Sequence, residues 1–144
     1  MLIGEYIHTL DEKNRLSLPV KFRKEMGKTV VLAPGLDRSI FMFTVSEWGK
    51  IASKLSESSM LAADNRSFNR FMFGGAVEVD VDAGGRILIP DFLKDRAGLK
   101  TKIAVIGVEN RAELWDEKAW AKYKSSVEQQ ADQLAERLGQ VGVL

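Results

Sequence analysis

The chain has 144 residues, 45% of them apolar, so a buried core is expected and wholesale disorder is excluded. Its 21 basic and 20 acidic residues leave net charge silent about a nucleic-acid partner. It holds no cysteine and one histidine, His8, which excludes disulfides, thiolate metal sites and a multi-histidine metal cluster.

In chain order, Met1-Leu2-Ile3-Gly4-Glu5 lacks the regions of a signal peptide, and no apolar run is long enough to cross a bilayer. A soluble cytoplasmic protein with no membrane contact is expected. Gly4 to Leu10 alternates Tyr6 and His8 with Ile7 and Thr9 and reads as a strand. It leads into Asp11-Glu12-Lys13-Asn14-Arg15-Leu16-Ser17-Leu18-Pro19, a tight turn, a second strand and a proline suited to a helix start. Pro19 to Met26 then forms a short helix with Phe22 and Met26 on one face, stopped by Gly27. Strands are expected over Val30 to Ala33 and Ile40 to Phe43. A helix follows, opened by a capping box of Thr44 and Glu47 and carrying the stripe Trp48, Ile51, Ala52 and Leu55. Ser56 to Ala63 is a small-residue linker, and Asp64 to Phe73 a bridging helix.

The pattern then recurs. Asp82-Ala83-Gly84-Gly85-Arg86-Ile87-Leu88-Ile89-Pro90 repeats the first turn at an offset of 71 residues. It is preceded by the half-buried strand Val77, Val79, Val81 and followed by a helix from Pro90 to Ala97 ending at Gly98. Strands over Ile103 to Ile106 and Ala112 to Trp115 come next. Asp116 then caps a helix whose stripe, Trp120, Tyr123 and Val127, continues through Ala131, Leu134 and Leu138. Two fused domains are expected, 1–60 and 75–144, joined by a helix over 61–74. Each is too short for a secure core alone, which favours strands interleaved into one shared barrel and a mainly β fold with peripheral helices.

The candidate site is the doubled turn: Asp11, Lys13, Asn14 and Arg15 in the first copy, Asp82 and Arg86 in the second. Asn14 and Gly85 occupy the same turn position, where positive φ is tolerated. The four-residue spacing lets Asp and Arg pair and hold the turn shut. An exposed ion pair is worth only about 0–1 kcal/mol, so one pair alone reads as a structural clasp. Lys13 beside Arg15, with Lys21, Arg23 and Lys24 downstream, shifts the first turn toward DNA contact, because Arg bonds bidentately to guanine or phosphate. In the second, Ala83-Gly84-Gly85 either lets backbone approach a phosphate or simply makes the turn. Arg66 and Arg70 read as a solvated or oligomer-facing edge, and Trp48 and Trp120 as core or subunit packing. His8 has no acid–base partner at a fixed spacing, and neither glycine pair is followed by the Lys-Ser/Thr of a phosphate loop. No enzyme or cofactor signature remains.

With the doubled Asp-x-x-x-Arg turn, the Gly-Glu-Tyr-Ile-His-Thr-Leu-Asp approach and the Gly-Arg-Ile-Leu-Ile-Pro exit, the chain resembles the MraZ family from about Gly4 to Trp120. It departs from that pattern at Asn14, where Gly is usual, and at Ile3, where a basic residue is common. The resemblance implies two fused swapped-hairpin units of the AbrB type and ring-shaped homo-oligomers. It implies a cytoplasmic, nucleoid-associated repressor that binds short direct repeats upstream of its own gene, at the head of the division and cell-wall cluster. It maps the DNA-contact turn onto Asp11 to Arg15 and Asp82 to Arg86. The rival readings are an antitoxin-like regulator of the same barrel type and an oligomeric scaffold that docks proteins without DNA.

Overall fold

Two prolines set the pattern of each repeat. Pro19 and Pro90, with φ of −53° and −61°, cap α1 (Val20–Met26) and α4 (Asp91–Ala97). They stop the preceding strands, β2 (Arg15–Ser17) and β6 (Arg86–Leu88), after three residues each. The computed structural model describes residues 1–143. Each short strand is preceded by β1 (Leu2–Thr9) or β5 (Val77–Asp80). Each short helix is followed by a strand pair, β3 (Thr29–Pro34) and β4 (Ile40–Thr44) or β7 (Lys102–Glu109) and β8 (Ala112–Asp116). Two helices follow each strand pair: α2 (Val45–Ser56) and α3 (Ala63–Gly74) after β4, and α5 (Glu117–Gln129) and α6 (Ala131–Gln140) after β8. Thr44 Oγ1 accepts the Glu47 N–H at 3.0 Å and Asp116 the Ala119 N–H at 3.4 Å, so both expected caps are in place.

The repeats exchange strands. The six-stranded antiparallel sheet runs β1-β7-β8-β4-β3-β5, so β1 pairs with the second repeat and β5 with the first. Ile40 opposite Leu114 and Met42 opposite Ala112 join the repeats at the middle of the sheet. Where β1 crosses β7 the approach is close, and a Cβ on Gly107 would meet the Ile3 backbone at 2.5 Å. A separate two-stranded ribbon pairs β2 with β6. Leu16, Leu18, Ile87 and Ile89 of that ribbon are at most 1% exposed and belong to one core with Phe22, Leu32, Leu93 and Val105. Both repeats fill this core, so the small size of each half is relieved within a single chain.

Several sequence expectations change. Helix is 43% of the chain and strand 30%, so the fold is mixed α/β rather than mainly β. The sheet is open, with β1 and β5 at its edges, and among the described residues no barrel closes. β2 and β6 are three residues long before Pro19 and Pro90 lead into helices, and among the described residues Leu10 to Leu16 is the one isolated bridge from the β1 end to this ribbon. Within the span expected as a bridge, 61–74, α3 covers Ala63–Gly74. The expected single stripe from Trp120 to Leu138 breaks at Gln130, whose φ of −109° and ψ of 5° interrupt the ladder between α5 and α6. α3 folds back so that Met72 is buried with Phe43 and Ala33, whereas every residue of α6 is exposed.

Candidate nucleic-acid interface

Each Asp-x-x-x-Arg turn is a closed clasp. Asp11 Oδ1 accepts the N–H groups of Lys13 at 2.9 Å and Arg15 at 2.8 Å, while its Oδ2 accepts Arg15 Nε at 2.8 Å. Asp82 repeats this with Gly84 N–H and Arg86 N–H, both at 2.9 Å, and Arg86 Nε at 3.0 Å. Asn14 and Gly85 take φ of 60° and 77°. The spacing alone had implied this pairing and this backbone. Both carboxyls are held below the ordinary carboxylate range, first by the backbone N–H of Arg15 or Arg86 and further by the guanidinium's own hydrogen bond and charge. The clasps are therefore ionised at neutral pH.

The two turns belong to one surface. Leu18 N–H donates to Gly85 O at 2.9 Å and Ile89 N–H to Asn14 O at 2.8 Å, so each turn is tied to the opposite repeat. Along the ribbon Arg15 faces Leu88, Leu16 faces Ile87 and Ser17 faces Arg86. The bonded rows on either side alternate with Arg15–Leu88 and Ser17–Arg86, which are non-hydrogen-bonded pairs with facing side chains close together. Leu16 and Ile87 point into the core. The alternate residues Arg15, Ser17, Arg86 and Leu88 therefore share the outward face. The arginine side chains are 34% and 39% exposed, and each clasp uses only Nε. Among the described residues neither Nη group has a hydrogen-bond partner, so each guanidinium is held through Nε alone.

The remaining candidates separate into braces and free cations. The Asn14 amide is already engaged, donating to Asp91 Oδ1 at 2.7 Å and accepting Lys94 Nζ at 3.0 Å. Arg23, the first repeat's counterpart of Lys94, donates from Nε to Leu18 O at 3.0 Å. A Cβ on Gly85 would meet its Nε at 2.5 Å. Each turn is thus backed by a basic side chain from the other repeat's short helix. Lys13, Lys21 and Lys24 are exposed. Open grooves of about 740 Å³ and 450 Å³ flank the two turns, one between Arg23, Lys28, Asp80 and Asp82, the other between Asp11, Glu12, Lys94 and Lys100. Both mix acids with bases, so neither is a purely cationic pocket.

Other sequence candidates lie apart. His8 is half-buried, and its pKa is lowered first by burial and then by the Arg23 charge, which keeps the imidazole neutral at pH 7. Arg66 donates to the carbonyls of Met60 and Leu61 and braces the linker. Trp48 packs on Phe43 and Phe73 at ring distances of 5.6 and 5.7 Å, and Trp120 on Trp115 at 5.3 Å. Both tryptophans therefore pack within their own chain. Among the described residues no group of three or more His, Cys, Asp or Glu could hold a metal ion, and no helix is long and apolar enough to cross a membrane.

The doubled clasp on a doubled fold is matched by known proteins. The family model described as "MraZ protein, putative antitoxin-like" matches twice, over residues 1–71 and 72–141. The chain belongs to the MraZ family. Proteins named Transcriptional regulator MraZ from Caldicellulosiruptor bescii and Alkaliphilus oremlandii are 40% and 41% identical over 143 residues, covering 99% of this chain and all of each relative. The protein of that name from Caldanaerobacter subterraneus subsp. tengcongensis is 41% identical over 138 residues, 96% of either chain.

Sequence reasoning missed Leu88, Ser17, Lys94 and Asp91 as neighbours of the MraZ turns. The alternation of Arg86 and Leu88 with Ile87 and Ile89 would have put Leu88 on the arginine face. The register of β2 against β6, and hence Leu88 opposite Arg15, had no signal in either strand alone.

Proposed function

We propose that this protein is a sequence-specific DNA-binding transcriptional repressor. One observation carries the reading: two aspartate-clamped arginines from two repeats stand on the same outward face of one short ribbon. A two-stranded ribbon fits the major groove of B-DNA, about 12 Å wide, where an Arg fork can bond to guanine O6 and N7. Holding Nε fixes the fork before DNA arrives, which lowers the ordering cost of binding. The relatives' name, Transcriptional regulator MraZ, supports a role in transcription.

The finer reading rests on the family resemblance. The target is a set of short direct repeats upstream of the protein's own gene in the division and cell-wall cluster, and the protein is cytoplasmic and nucleoid-associated. Its partners are that DNA and further copies of itself in a ring-shaped homo-oligomer of AbrB-like swapped-hairpin units. A net charge of +1 gives one protomer little phosphate affinity. Several protomers on one scaffold meet several repeats with raised effective concentration. The exposed apolar positions Leu134 and Leu138 of α6 support assembly.

The test is a binding titration at fixed salt, using a duplex of the upstream region and a scrambled duplex with competitor DNA. Preference for the upstream duplex, lost in Arg15→Ala, supports the reading. Equal binding of the two duplexes by the wild type refutes it.

A further inference from the structure

The ribbon joins equivalent repeats, yet its two ends differ chemically. In one row Arg15 stands beside Leu88, and in the next Arg86 stands beside Ser17. Leu88 and Ser17 are repeat equivalents, 71 residues apart, as are Phe92 and Lys21 on the following helices. One arginine is therefore paired with an apolar side chain, the other with a hydroxyl. Leu88 and Phe92 are 56% and 52% exposed, although the core lies directly behind the ribbon. Val20, also exposed, is the equivalent of Asp91, which bonds to the first turn rather than lying on the ribbon face.

Leu88 takes no part in the core, because Ile87 and Ile89 supply the ribbon's core contacts. Facing residues in a non-hydrogen-bonded row have Cα atoms about 4.5 Å apart, and successive rows on one face are roughly 6.5 Å apart. With base pairs stacked about 3.4 Å apart, one row covers one or two base pairs and the two rows are about two base pairs apart. The only apolar group on a base edge in the major groove is the thymine C5-methyl.

We propose that Leu88 is a specificity-determining residue that reads a thymine methyl next to the base contacted by Arg15, whereas the Ser17–Arg86 row reads no methyl. This deepens and rests on the DNA-binding reading above. The protein would then read its site with a direction, despite its internal pseudo-symmetry.

The probe is the upstream duplex with each thymine in turn replaced by deoxyuracil, which removes one methyl and keeps every base-pairing group. The wild type should lose about fourfold affinity per contacted methyl at one thymine position of each repeat. Leu88→Ser should show the same loss on the unmodified duplex and become indifferent to uracil at that position. Leu88 is exposed, so this variant should keep the wild-type circular dichroism; the uracil series on wild-type protein tests the idea without any variant. If the wild type prefers the upstream duplex but ignores every uracil, or if Leu88→Ser keeps the full uracil sensitivity, the methyl-reading role is wrong while DNA binding stands. If the wild type has no preference for the upstream duplex, the DNA-binding reading fails and this inference with it.

Discussion

Arg15 and Arg86, 71 residues apart in sequence, occupy neighbouring rows on the outward face of one ribbon, each held through Nε by its own aspartate. Diagonal neighbours on a sheet face are about 7–8 Å apart, so the two forks can engage one groove together. The bonds to Asp11 and Asp82 engage Nε and leave the Nη groups without a hydrogen-bond partner among the described residues.

The arginines are expected to be unequal, with Arg15 the more important. Its turn carries Lys13, whereas the turn of Arg86 carries small residues. Losing one bidentate base contact costs roughly 1–3 kcal/mol of discrimination, multiplied over the copies on DNA. Arg15→Ala should abolish preference for the upstream duplex. Arg15→Lys should keep nonspecific affinity without that preference, since the charge remains and the planar fork is gone. Arg86→Ala should weaken binding less. Titrations of all three, after checking assembly, would refute the assignment if Arg15→Ala bound like the parent.

Salt should weaken binding steeply. Each phosphate neutralised on B-DNA contributes about −0.9 to the slope of log K against log salt. A protomer offering two or three cations near its turns, such as exposed Lys13 and Lys21, gives a small slope alone and a several-fold larger one when assembled. A flat salt series would favour a protein-docking scaffold.

Asn14 should prove a brace. Asn14→Ala loses both side-chain hydrogen bonds and places a Cβ residue without compensation at φ of 60°, which should destabilise the fold by about 1–3 kcal/mol. Asn14→Gly keeps the backbone and loses only the bonds, so its unfolding midpoint should lie between wild type and Asn14→Ala. Denaturant melts test the ranking. Near-wild-type DNA affinity of Asn14→Gly would show that the amide serves the fold.

The clasps set an acid limit. Asp11 and Asp82 have folded pKa values below their unfolded ones, mainly through the backbone N–H groups of Arg15 and Arg86. Their contribution is therefore fully present above the unfolded value, about 3.9, and is lost as pH falls through the depressed folded values. Turn geometry should be unchanged from pH 8 to about 5. Carboxyl NMR titrations should find both groups ionising below the ordinary aspartate range, and a normal titration of either would contradict the clasp.

Assembly should depend on α6. Leu134 and Leu138 are 36% and 42% exposed on a helix that packs mainly on α5. The wild type should scatter light as an oligomer well above 16.1 kDa. Leu134→Lys with Leu138→Lys should reduce its mass without loss of helical signal, because the main core contains neither residue. A wild-type species at the protomer mass would refute the assembly.

The sequence by itself determined the local chemistry. A repeated Asp-x-x-x-Arg, with Asn14 or Gly85 before the arginine, specifies a clasped turn because the bonds that close it span four residues. Pro19, Pro90, Thr44 and Asp116 likewise located helix starts, since caps act within one turn of the chain. What only the tertiary structure decided was how the repeats meet. The small size of each half already favoured interleaved strands, but which strands are exchanged, the open sheet and the register of Arg15 against Leu88 depend on pairing between segments some seventy residues apart, and alternation within one strand fixes its faces but not its partner. An amphipathic stripe shows that a face needs covering, and only packing shows that Met72 is covered while Leu138 remains exposed.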